Sequence, residues 1–214
     1  MWKTNRWMIL ATALVILLPM LIGIVLWDRL PQSIAVHFGT DNAPDGWASK
    51  AFAVFGLPGI LLGLHLLCLT VTAADPRRKN VGKKPLWLLF WLIPILSLVV
   101  CPATYAIALG VKLNMGTVCS LLLGLLFLVL GNLLPKVKQN YTFGIKLPWT
   151  LYDPENWSRT HRFGGWCMVL AGIVLLAAAP WPTPWVMLPA ILAAALAPMV
   201  YSYVFYRRHR KEKP

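Results

Sequence analysis

"GNLLPKVKQNYTFGIKLPWTLYDPENWSRTHRFGG", residues 131–165, lies between two apolar runs, 116–134 and 165–179. The quoted segment is rich in Asn, Trp, Tyr, Pro and His, whereas the runs beside it approach the length that a hydrocarbon core of about 30 Å demands of a helix. Four further runs, 7–27, 51–74, 86–109 and 185–206, share that character in a chain that is 58% hydrophobic and 13% charged. Backbone amides find no water in lipid, so spans must be helices or closed barrels, and these runs lack the alternation of barrel strands. The expected fold is all-α: a polytopic membrane protein with a six-transmembrane-helix bundle. The fifth run is the shortest. The first resembles a signal peptide behind Lys3 and Arg6, but its apolar stretch is long and Asp28-Arg29-Leu30-Pro31 offers no small-residue cleavage site, so it reads as an uncleaved helix.

A net charge of +13 raises the question of nucleic acid, and the placement of the charge answers it. Of the 20 Lys and Arg, all but Arg29, Lys50 and Lys112 fall at the N-terminus, in 75–85, in 135–163 or in the 207–214 tail. Six spans put those four segments on one side, which the positive-inside rule makes cytoplasmic, with both termini inside. Lipids of an anionic leaflet are the natural partner of this charge, and no direct nucleic-acid binding is expected. Cys68, Cys101, Cys119 and Cys167 fall within spans without CxxC spacing and read as packing residues. Trp2, Trp7, Trp27, Trp87, Trp91, Trp166, Trp181 and Trp185 lie near span ends, where an indole suits the headgroup level.

Two connections exceed simple turns: 28–50, outside, and 135–163, inside. Both are rich in aromatics, Pro and Gly, which favours ordered structure over disorder. In the outer one, Asp41-Asn42 and Pro44-Asp45-Gly46 supply turn chemistry. In the inner one, Asp153 suits an N-cap, Pro154 the first turn and Glu155 the positive helix end, giving a short helix over 154–162 with Trp157 and His161 on one face. The loops also echo each other. Leu30-Pro31 precedes Phe38-Gly39 much as Leu134-Pro135 precedes Phe143-Gly144, and Asp45-Gly46-Trp47-Ala48-Ser49-Lys50 parallels Glu155-Asn156-Trp157-Ser158-Arg159. Two inverted three-helix repeats account for the echo, as does chance similarity between two aromatic, turn-rich loops.

The inner stretch resembles the signature of the SdpI-like family of bacterial membrane proteins. Gly131, Asn132, Pro135, Asn140, Tyr141, Gly144, Ile145, Pro148, Trp149, Thr150, Trp157, Thr160, His161 and Gly164 stand in register with it. The outer "LPQSIAVHFGTDNAPDGWASK" is similar to the small uncharacterised domain that commonly precedes it, with L-P, H-F-G and P-D-G. Departures are Lys146-Leu147 where the family often has Arg and Thr, Ala35 for a common Pro and Asn42 for a common Gly. The resemblance implies a two-helix unit over 1–75, a four-helix unit over 86–206 and a basic tail over 207–214. It further implies immunity to, or sensing of, a secreted antimicrobial peptide toxin, with signalling to a cytoplasmic repressor.

Asn132, Asn140, Trp149, Trp157 and His161, with Tyr141 and Thr150 of the same signature, are the candidate ligand or partner contacts. The alternative is that amides and imidazole satisfy helix ends and loop carbonyls while the indoles anchor the loop. Outside, His37 and Asp45, with Asp41, offer imidazole and carboxylate, but such a spacing is a weak metal signal and Asp is a common turn former. His65 lies inside the second span, where it is expected neutral, as a helix contact or as part of a polar path. No nucleophile motif, HExxH or phosphate-cradling Gly loop is present, so no catalytic residue, metal or cofactor is assigned. A small transporter is the main alternative function, and a membrane-embedded enzyme acting at the inner leaflet through His161 is a lesser one.

Overall fold

The computed structural model describes the backbone of residues 2–212 and the side chains of residues 5–209. The expectations on Trp2 and Lys3, and on Arg210, Lys211 and Lys213 of the tail, concern side chains outside the described residues. The elements are α1 (Trp2–Val25), β1 (Ser33–Phe38), β2 (Pro44–Ser49), α2 (Leu57–Ala74), α3 (Lys83–Ala108), α4 (Met115–Leu133), α5 (Pro148–Tyr152), α6 (Pro154–Ala178) and α7 (Pro184–Glu212). Among the described residues, six helices are long and apolar enough to cross a membrane, and each contains most of one of the six expected runs. The protein is therefore a multi-pass, helical membrane protein. Trp7, Trp87, Trp181 and Trp185 are all largely exposed near span ends, whereas Trp166, also exposed, lies at the middle of α6.

Two features depart from expectation. The 28–50 connection contains an antiparallel β-hairpin, with Ser33 opposite Ser49, Ile34 opposite Ala48 and Ala35 opposite Trp47. The short helix expected over 154–162 and the fifth span are one continuous helix, α6. Arg159 and Arg162 project outward from it while Asn156, Trp157, Thr160 and His161 are buried, so charge marks one face rather than a boundary.

The chain packs as two compact units. One comprises residues up to 73 together with 87–118, and its core joins Leu30 and Ile34 to Ala53, Val54, Cys101 and Tyr105. A π-helical turn over Phe52–Gly56 leads into α2. Such a turn shifts the hydrogen-bond ladder, and the Tyr105 hydroxyl donates to the Ala53 carbonyl at 3.2 Å. Lys50, a basic residue in a segment otherwise poor in positive charge, has a local role: its Nζ donates to the carbonyls of Trp27 (3.0 Å) and Leu30 (3.3 Å) and lies 4.7 Å from the Trp27 ring centroid. It thus satisfies carbonyls left over where α1 ends, at the negative end of the helix dipole. Asn42 takes a positive φ of 64°, a conformation that Asn tolerates in place of Gly, and its Oδ1 accepts from the Gly116 amide at 3.2 Å. Within the helices, Ser97 donates to the Ile16 carbonyl at 2.8 Å, and fully buried His65 places Nε2 3.0 Å from the Thr12 hydroxyl.

The other unit comprises 74–86 together with 119 onward. Helices α4 and α6 approach through paired glycines. A Cβ on Gly131 would sit 2.6 Å from the Gly165 carbonyl oxygen, and one on Gly172 would sit 2.8 Å from that of Gly124. Small residues at such crossings let backbones approach where lipid supplies no hydrophobic drive between helices. Ser120 adds a hydroxyl bond to the Leu175 carbonyl at 2.7 Å.

Candidate functional site

The polar segment 134–153 folds around side chains of α6. The Leu134–Lys136 turn closes α4, and the Trp157 indole N–H donates to the Val137 carbonyl at 2.7 Å, fixing the chain as it leaves the helix. Asn140, fully buried, organises the next bend: its Oδ1 accepts from the amides of Thr142 (2.9 Å) and Phe143 (2.6 Å), and its Nδ2 donates to the carbonyls of Lys138 (2.8 Å) and Phe143 (3.1 Å). Gly144 follows with φ 119°, pressed so closely on the Trp157–His161 pair that a Cβ would collide with His161 Nε2. Only glycine meets both demands at this position.

His161 stacks on Trp157, with centroids 3.9 Å apart. Its Nε2 accepts from the Ile145 amide at 3.0 Å, so Nδ1 carries the proton and donates to the Trp157 carbonyl at 2.8 Å. Both ring nitrogens are thereby used, and the imidazole is held neutral in one tautomer. Thr150 does the same work one turn on. Its hydroxyl accepts from the Leu147 amide at 2.9 Å, the bond by which the third residue of α5 reaches back to the residue that precedes the helix, and lies 2.9 Å from the Ile145 and Leu147 carbonyls. Asp153 caps α6 as expected, accepting from the amides of Glu155 (2.9 Å) and Asn156 (3.2 Å).

Trp149 reaches α7. Its indole N–H donates to the Ser202 hydroxyl at 2.9 Å, and its ring lies against Tyr203 and Tyr206. Ser202 in turn donates to Asn156 Oδ1 at 2.7 Å, Thr160 donates to the same oxygen at 2.8 Å, and Asn156 Nδ2 returns a bond to the Ser202 carbonyl at 3.1 Å. Asn156 is fully buried, and each bond it makes ties α6 internally or to α7.

The connection between α2 and α3 docks on the same segment. Asp75, nearly buried, accepts from the Arg77 amide at 2.7 Å on one oxygen, and from the Tyr141 amide (2.9 Å) and Thr142 hydroxyl (2.6 Å) on the other. Burial alone would raise its carboxyl, but these bonds outweigh it and hold the group below the usual carboxylate range. Asn80 donates to the Gln139 carbonyl at 2.6 Å, and the Arg77 guanidinium lies 4.9 Å from the Tyr141 ring centroid. Of the expected contacts, Asn140, Thr150, Trp157 and His161 are buried within the fold, Trp149 is half-buried against α7, and Tyr141 is exposed. Asn132 stands apart, exposed on α4 with its Oδ1 accepting from Lys136 Nζ at 3.1 Å.

This chemistry is that of a fixed scaffold with an exposed cationic and aromatic rim. Asp75, Asn80, Asn156 and Ser202 are the members that sequence reading missed. All four partner residues far along the chain, and the hint available for Asn156 was its place between Asp153 and Thr160 on one helical face. In the other unit, His37 Nδ1 meets Asp45 Oδ1 at 2.5 Å on the exposed hairpin, while Asp41 Oδ1 accepts from the Ala43 amide at 3.0 Å in a turn. Among the described residues no three His, Cys, Asp or Glu side chains converge as metal ligands would.

Comparison with known proteins assigns these two regions separately. Residues 136–202, from the loop through most of α7, match the SdpI/YfhL protein family. Residues 14–62, which include the hairpin, match a domain of unknown function (DUF1648). The chain is 25% identical over 198 residues to "Immunity protein SdpI" of Bacillus subtilis (strain 168), an alignment covering 92% of this chain and 94% of that protein. No solved structure shows a significant match.

Proposed function

From the premise that this chain belongs to the SdpI/YfhL family, we propose that it is an immunity protein of a bacterial plasma membrane, active against a membrane-active peptide toxin. The observation that carries the reading is the near full-length similarity to a protein named for immunity. Distribution of Lys and Arg supports an orientation with both termini and the 135–153 loop in the cytoplasm and the hairpin outside. In this reading the hairpin side meets the peptide, and the rim around Tyr141 presents the occupied state to a cytoplasmic repressor. Such a report requires the peptide to bind one conformation better than another. Expression in a peptide-sensitive bacterium is expected to raise resistance to one member of a toxin panel, and Tyr141→Ala to weaken reporting while resistance and membrane level hold. Unchanged sensitivity across the panel rejects the immunity reading.

A second reading, transport, draws on His65. Its Nδ1 is buried inside a candidate span without a hydrogen-bond partner among the described residues, and intramembrane ionisable side chains commonly mark polar pathways. Substrate accumulation in proteoliposomes, abolished by His65→Leu, is the outcome that reading requires.

A further inference from the structure

The hairpin is mounted with one strand inward and one outward. In β1, Ile34 and Ala35 are buried; in β2 every residue is exposed or half-buried, and Trp47 is 61% exposed. The Lys50 amide donates to the Gln32 carbonyl at 2.8 Å, which sets the ladder's parity. Ser49 and Trp47, opposite Ser33 and Ala35, then occupy the non-bonded pairs, whose backbone N–H and C=O turn away from β1. Among the described residues no third strand receives them. An unpaired edge of this kind is a template for another extended chain.

The surroundings specify which chain. Three of the 7 acidic residues, Asp28, Asp41 and Asp45, lie in 26–49, where Arg29 is the only Lys or Arg. Lys50, the next basic residue, is buried with its ammonium committed to the Trp27 and Leu30 carbonyls. A net acidic segment that carries an exposed indole, even with Asp45 paired to His37, suits a cationic side chain, by charge and by cation–π stacking. We infer that the outer edge of β2 is a docking site for a cationic peptide in extended conformation, which adds as a third strand over Trp47. This deepens the immunity reading and rests on it for biological meaning, but the docking itself is separately testable.

The probe is a short synthetic peptide of alternating Lys and Val, titrated into the full-length protein in phosphatidylcholine nanodiscs and followed by calorimetry. Binding is expected, and it weakens about tenfold when alternate amides along one edge of the peptide are N-methylated, consistent with losing two main-chain hydrogen bonds. Trp47→Pro, which removes an outward N–H without touching the β1 ladder, is expected to do the same. The double substitution Asp41→Asn with Asp45→Asn is expected to weaken binding as well and to leave what remains less sensitive to salt. Equal affinity for the N-methylated peptide overturns the inference, and uses only the unaltered protein. So does equal binding to empty nanodiscs, which makes the partner a lipid surface, or a concentration-dependent dimer abolished by Trp47→Pro, which makes it a second copy. In cells, resistance that persists at full strength with Trp47→Pro present at normal levels removes the docking site from protection and leaves immunity standing. A failure to protect against any peptide removes immunity, and the nanodisc titration still decides the edge.

Discussion

Asp75 fixes the loop through both carboxylate oxygens, and an amide cannot replace it. Asparagine offers one acceptor and one NH2, so an N–H must face either the Arg77 amide or the Tyr141–Thr142 donors. Asp75→Asn is expected to cost about 1–3 kcal/mol of local stability, the penalty for unsatisfied buried donors. The pH dependence has a definite sign. Because the folded carboxyl titrates below the unfolded one, its stabilisation is complete above the ordinary carboxylate pKa of about 3.9 and is lost as pH falls through the depressed folded value. Amide exchange over residues 139–143, corrected for intrinsic rates, is expected to accelerate in that window in the natural protein and to show no such step in Asp75→Asn. The two asparagines offer a second comparison. Asn156→Ala, which strands the Ser202 and Thr160 hydroxyls, is expected to destabilise by about 2–3 kcal/mol, against about 0.5 kcal/mol or less for exposed Asn132→Ala. Thermal unfolding in detergent measures both. Sequence reading ranked these residues in the opposite order, since Asn132 belongs to the family signature and Asn156 shows its value only once Ser202, 46 residues on, is beside it.

Among the elements, the helices were legible because an apolar run of span length has few other fates in lipid. α6 was legible in halves. The polar face made by Asn156, Trp157, Thr160 and His161 runs without interruption into the apolar stretch, and the segmentation by charge concealed that continuity. The hairpin was read as turns alone: Asp41, Asn42 and Gly46 carried clear turn chemistry, whereas six-residue strands with weak alternation carried little signal. Packing between helices was not legible at all, because a glycine's value depends on what faces it. Gly131→Ala and Gly165→Ala are each expected to cost about 1–3 kcal/mol through overpacking of the α4–α6 crossing. Gly63, where an added Cβ would meet nothing within 4 Å, provides the control: Gly63→Ala is expected to be neutral or to gain up to about 1 kcal/mol from helix propensity. Unfolding midpoints of the three variants separate crossing from propensity.

For the molecule as a whole, orientation is the first quantity to measure. Cysteines introduced as Asp41→Cys and Lys138→Cys are expected to react with a membrane-impermeant maleimide from opposite faces, the first in intact cells and the second only after permeabilisation. Reaction of both from one face rejects the proposed topology. Cys101 is buried, and the four natural cysteines lie within spans, so background labelling is small. The two compact units also interleave along the chain, since 74–86 packs with residues that begin at 119. Separate expression of 1–112 and 113–214 therefore strands Asp75 and Asn80 on the fragment that lacks the loop they bind. Co-expression is expected to restore protease resistance that neither piece shows alone. Recombination feels the same constraint: a contiguous exchange of residues 136–202 leaves the anchoring carboxylate behind in the recipient. The heritable cassette is thus split across the gene, and chimeras that carry both patches from one parent are the ones to build.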